Sequence, residues 1–183
     1  GLEERWATEL VNQLSNEKAA YYIENLNNEG VANRIVEFAI NRFGKINALI
    51  NNAAKQVSSN IHTTEAKLLR EVLEVNTVIP FSMIKAALPY LIMSRGTVIN
   101  IGSVNAYSGE PNLLPYSISK GALMTMTRNL GDTLFREYGI RVNQINPGWV
   151  LTETEIKRKK DQGLADDWYK DLPNVFAPAG RIL

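Results

Sequence analysis

A chain of 183 residues has the length of one domain with a substantial core, and its formal net charge of +1 gives no reason to expect a nucleic-acid or anionic-membrane partner. The absence of cysteine excludes disulfides, thiolate chemistry and cysteine-based zinc sites. With His62 the only histidine, and nothing around it suggesting catalysis, a Ser-His-Asp triad is not expected either.

In chain order, residues 2–14 place Trp6, Leu10, Val11 and Leu14 at helical spacing, and residues 19–23 form a short apolar and aromatic run expected to be the first strand. Asn27-Asn28-Glu29-Gly30 then precedes a second amphipathic helix that carries Ile35, Val36, Phe38 and Ala39 and stops near Phe43-Gly44. Residues 47–51 read as the next strand and 55–63 as a polar loop. Thr64 is expected to cap the long helix that follows, with Glu65 complementing its dipole. Residues 97–101 are the third strand, 116–138 a helix halted by Gly139, and 140–145 the fourth strand. Lys157-Arg158-Lys159-Lys160 reads as a solvated helix face rather than a binding patch.

Strands alternating with helices imply a doubly wound parallel α/β sheet with helices on both faces, in one domain over residues 1–183. No apolar run reaches the length of a membrane span and the first residues do not read as a signal peptide, so a soluble, cytoplasmic protein is expected. In such a sheet ligands bind beyond the carboxyl ends of the strands. Asn25, Asn51, Ser103 and Pro147-Gly148 all fall at that rim.

Tyr116 and Lys120 lie four residues apart and share one helix face. A fixed ammonium favours the phenolate and lowers the tyrosine pKa, which would let the phenol exchange protons with an alcohol or a carbonyl. Ahead of them, Asn76 precedes Pro80 by four residues. Proline has no N–H to offer the Asn76 carbonyl, so a kink and a carbonyl able to hold water are expected there.

The ordered landmarks Asn51-Asn52-Ala53-Ala54, Asn76, Ser103, Tyr116-x-x-x-Lys120 and Pro147-Gly148-Trp149-Val150-Leu151-Thr152 resemble the short-chain dehydrogenase/reductase family. The resemblance implies Tyr116 as the acid/base, Lys120 as the cation that lowers its pKa and grips the nicotinamide ribose, Ser103 as partner of the reacting oxygen, and Asn76 as the end of a proton relay. It places Asn25, Asn51, Ala53, Pro147, Val150 and Thr152, with Tyr116 and Lys120, along NAD or NADP. Asn105, Tyr107, Glu110 and Trp149 would face the substrate with Ser103 and Tyr116. Asn25 stands where the family usually has aspartate, and Ala54 where it usually has glycine.

The family's T-G-x-x-x-G-x-G turn, whose backbone N–H groups receive the pyrophosphate, is not found. The sequence is therefore read as the middle of a family domain, short of a first βαβ unit of roughly 45 residues, with segments omitted at both ends. The implied activity is NAD(P)-dependent interconversion of a secondary alcohol or sugar hydroxyl and a carbonyl. The alternative is a catalytically silent dinucleotide-binding regulatory or scaffold protein of the same fold. Apolar residues in the helices at 64–94 and 116–138 point, with the resemblance, to a homodimer or homotetramer. Residues 153–179, with Trp168, Tyr169 and Phe176, are expected to act as a substrate lid.

Overall fold

The computed structural model describes residues 4–14, 17–165, 167–172 and 182. The chain divides into two compact units, Gly1–Ile145 and Asn146–Leu183.

The first unit is built on a parallel sheet in the order β1 (Ala48–Asn51), β2 (Thr97–Ile101) and β3 (Arg141–Ile145). Leu49 pairs with Val98 and Val98 with Val142; two residues on, Asn51 pairs with Asn100 and Asn100 with Gln144. Parallel strands cannot be joined by a tight turn. Two helical crossovers meet that requirement: α3 (Ala66–Leu73) runs through a π turn (Glu74–Val78) into α4 (Ile79–Ser94), and α6 (Leu114–Tyr138) links β2 to β3.

α1 (Glu4–Leu14) buries none of its residues, whereas α2 (Val31–Phe43) sends Val31, Ala32 and Val36 into the core. There they meet Ile79, Met83, Ile84, Ala87 and Leu91 of α4, Leu134 of α6, and Val98 and Val142 of the sheet. The spacing of these α4 residues is that of one helical face. Gly44 and Gly139 end α2 and α6 at φ 75° and 71°, left-handed conformations that cost glycine no steric penalty.

Three expectations need correction. Residues 19–23 form no strand: a strand exists only where a neighbouring backbone accepts its hydrogen bonds, and among the described residues none pairs with this segment, so the sheet has three strands rather than four. Thr64 does not cap α3. Its hydroxyl is taken by Ser59 Oγ at 2.8 Å and its N–H by the Asn60 carbonyl at 2.8 Å, which moves the cap position to Glu65. The continuous helix Ala66–Ser94 is also long and apolar enough, by length and composition, to cross a membrane, although polar residues interrupt every apolar run within it. Its Ile79, Met83, Ile84, Ala87 and Leu91 are buried in the core just described.

Candidate active site

Pro115, in the first turn of α6, starts the helix where a missing N–H costs nothing. One turn of α6 then separates Tyr116 from Lys120. Lys120 is buried, and its ammonium donates to the carbonyl oxygen of Ile101, the last residue of β2, at 2.6 Å. The same nitrogen lies 5.6 Å from the centroid of the Tyr116 ring.

Ser103, two residues beyond β2, is buried and hydrogen-bonds the Tyr116 phenol. Its Oγ also accepts from the Asn105 N–H at 3.2 Å, and the Gly102 N–H donates to the Ile145 carbonyl at 2.7 Å. The end of β2 thus gathers Ser103, Tyr116 and Lys120 at one place on the sheet rim.

The electrostatics differ from the expectation of a lowered tyrosine pKa. Burial pushes the Tyr116 phenol above its usual value, because a phenolate loses hydration there, and the Ser103 hydrogen bond only partly opposes this. Burial likewise lowers the Lys120 pKa, to about 8.

Asn76 lies in the π turn, fully buried. The Ile79 N–H reaches back five residues to the Glu74 carbonyl, so the break caused by Pro80 takes the form of a π turn. The Asn76 side chain bridges two elements: Oδ1 accepts from the Lys55 N–H at 2.7 Å, and Nδ2 donates to the Lys55 carbonyl at 3.0 Å and to Ser119 Oγ at 2.9 Å. Ser119 Oγ in turn donates to the Tyr116 carbonyl at 2.7 Å.

Asn51 is half-buried at the end of β1 and donates from Nδ2 to Asn100 Oδ1 at 2.8 Å. Asn100 Nδ2 donates to Thr127 Oγ1 at 2.8 Å, and that hydroxyl donates to the Leu123 carbonyl at 2.7 Å, with Gln144 Oε1 3.1 Å away. This polar row follows the sheet register at the carboxyl ends and fixes the amide of Asn51. Ser119, Asn100 and Thr127 escaped the sequence reading. Their one sequence signal is a polar residue where the alternation of β2 or the face of α6 calls for an apolar one.

Of the other expected site residues in the first unit, Asn105 is tied to this group through the N–H it gives to Ser103 Oγ. Ala53 is exposed in the loop after β1. Asn25 is exposed, and its side chain accepts from the Asn27 N–H at 3.0 Å in a local turn beside the Glu24–Arg34 ion pair. Asn105 opens the short helix α5 (Asn105–Ser108), which also carries the exposed Tyr107, while Glu110 Oε1 accepts from the Asn112 N–H at 3.4 Å.

Pro147, Trp149, Val150 and Thr152 belong to the second unit. There Thr152 caps α7 (Glu153–Asp161), accepting from the Glu155 N–H at 3.2 Å, and Trp149 Nε1 donates to Glu155 Oε1 at 3.1 Å. Lys159 Nζ sits 5.3 and 5.4 Å from the ring centroids of Trp149 and Trp168, and Tyr169 meets Trp168 edge-on. Of the segment expected to act as a lid, Asp166 and residues 173–179, with Phe176, lie outside the described residues.

A profile of the short chain dehydrogenase family matches residues 2–163, and the chain belongs to the short-chain dehydrogenase/reductase family. It is 41% identical over 120 residues to NADPH-dependent aldehyde reductase 1, chloroplastic, of Arabidopsis thaliana, covering 65% of this chain. It is 36% identical over 125 residues to L-fucose dehydrogenase of Rattus norvegicus and 38% over 120 residues to glucose and ribitol dehydrogenase of Daucus carota, covering 68% and 65% of this chain. These matches take in between 40% and 46% of the relatives' own lengths. A solved short-chain dehydrogenase from Streptomyces avermitilis superposes with a TM-score of 0.77 at 23% identity, over 83% of this chain and 56% of that one. The superposition establishes the Rossmann-like, three-layer α/β/α fold.

Proposed function

We propose that the protein to which this chain belongs is an NAD(P)-dependent oxidoreductase that interconverts a secondary alcohol or sugar hydroxyl and a carbonyl. The observation that carries the reading is the meeting of Ser103, Tyr116 and Lys120 at the carboxyl end of β2. When bound, the nicotinamide dinucleotide accepts or supplies the hydride. The donor set suits such a ligand: an ammonium has three N–H groups, and the hydrogen bond to Ile101 uses one, leaving two for ribose hydroxyls. Lys120 and Asn51 would hold it, with the exposed backbone near Ala53 alongside.

In this reading the Ser103 hydroxyl orients the reacting oxygen and the Tyr116 phenol exchanges its proton. Lys120 supplies the positive charge that stabilises a transient phenolate in a buried site. The names of the fucose, glucose and ribitol dehydrogenases support a sugar or polyol substrate. Exposed Phe81 in α4 and Ile118 in α6 support assembly into a homodimer or homotetramer.

Incubating the full-length protein with a panel of sugars, polyols and secondary alcohols plus NAD or NADP, while following nicotinamide absorbance, tests the reading. Turnover with one substrate class is the expected result. Tight dinucleotide binding without turnover of any substrate would instead favour the catalytically silent binding protein.

A further inference from the structure

We propose that Ser119 is a positioning residue for the reaction, holding Asn76 against α6 so that the π turn and the Tyr116–Lys120 turn keep one relative register. The inference rests on the oxidoreductase reading above and adds a residue to it. Ser119 stands between Tyr116 and Lys120 in sequence, fully buried. A hydroxyl has one proton to give, and here it goes to the Tyr116 carbonyl at 2.7 Å, so the side of Ser119 Oγ that faces Asn76 can only accept. Asn76 Nδ2 donates to it at 2.9 Å.

The neighbouring Thr77 donates from Oγ1 to the Ser119 backbone carbonyl at 3.1 Å. Two consecutive residues of the π turn therefore grip both the side chain and the main chain of one residue in α6. The remaining hydrogen bonds of the Asn76 amide go to Lys55, at 2.7 and 3.0 Å, which ties the loop after β1 into the same joint.

Removal of the Ser119 hydroxyl leaves a fully buried N–H of Asn76 without a partner, and such a group costs its whole desolvation. The amide must turn to recover a bond, and turning breaks its paired contacts with Lys55. The effect reaches the chemistry through the placement of Asn76 and Tyr116, because Ser119 itself touches neither substrate nor phenol oxygen.

The test combines kinetics with amide exchange in the full-length protein. Ser119→Ala should lower kcat roughly tenfold while KM and dinucleotide affinity stay within about twofold, and the Lys55 amide should exchange faster. Ser119→Cys, similar in volume with a weak acceptor, should fall between it and wild type. In an Asn76→Ala background, adding Ser119→Ala should change kcat by less than about twofold, as expected of residues acting in one chain. Equal losses in both backgrounds would overturn the proposal, as would an unchanged Lys55 amide in Ser119→Ala. A wild-type protein that turned over no alcohol or sugar would remove the oxidoreductase reading and the catalytic part of this role, while the Lys55 amide would still report whether Ser119 holds Asn76.

Discussion

The Lys120 ammonium lies 5.6 Å from the centroid of the Tyr116 ring while it donates to the Ile101 carbonyl at 2.6 Å. One cation thus fastens α6 to the end of β2 and stands beside the phenol. Burial works against both ionised forms, raising the Tyr116 pKa and lowering that of Lys120. The pair is electrostatically strained: the phenol is held further from ionising and the ammonium closer to losing its proton.

That strain gives stability a pH dependence of definite sign. With its pKa lowered from 10.5 to about 8 in the folded chain, Lys120 binds fewer protons folded than unfolded between those values. Its contribution therefore favours unfolding below about pH 8 and fades as pH rises towards 10.5. Denaturant titrations at pH 7.5 and 10 should show the stability of wild type rising relative to that of Lys120→Met, by on the order of 2–3 kcal/mol. A difference independent of pH would mean that the burial does not act on this ionisation.

A steric prediction concerns the turn into β2. A Cβ on Gly96 would stand 2.7 Å from the Asn47 carbonyl oxygen and 2.7 Å from Leu91 Cδ2. The Asn47 oxygen cannot yield, since it accepts the Thr97 N–H at 3.0 Å. Gly96→Ala should destabilise by about 2–3 kcal/mol. By contrast Gly121, in α6, would bring its Cβ no closer than 3.8 Å to the Ala106 carbonyl, so Gly121→Ala should stabilise by roughly 0.5–1 kcal/mol. Thermal unfolding of the two variants checks both signs.

Most of this architecture was legible in the sequence because it rests on local signals. Gly44 and Gly139 end helices where expected, and the β-branched run Thr97–Ile101 is β2. Residues 19–23 misled because composition reports a segment's fitness for a sheet and says nothing of whether a partner backbone lies beside it. Thr64 misled because its hydroxyl had a nearer partner in Ser59. Tyr116, Lys120 and Ser103 were readable as a motif and are brought together in the structure. Ser119, Asn100 and Thr127 were not, since their roles depend on contacts across 43, 49 and 27 residues that no spacing rule encodes. The direction of the Tyr116 pKa was misjudged for a related reason: helix spacing shows a lysine nearby but not how dry the phenol is.

A dynamic prediction concerns the second unit. α7 is strongly charged, and among the described residues Lys159 lies over the rings of Trp149 and Trp168. If it covers bound ligand, amide exchange across residues 153–165 and 167–172 should slow markedly when dinucleotide and substrate are added to the full-length protein. Protection confined to the neighbourhood of Asn51 and Lys120 would show that the segment is static.

The most direct test of the account is Tyr116→Phe in the full-length protein, assayed by nicotinamide absorbance beside a dinucleotide titration. The change deletes only the ionisable oxygen, so kcat should fall by at least about a thousandfold while dinucleotide affinity stays within about threefold. Lys120→Ala, which removes the charge beside the phenol and a proposed ribose contact, should damage both. Near wild-type kcat in Tyr116→Phe would contradict the central claim that this phenol carries the proton.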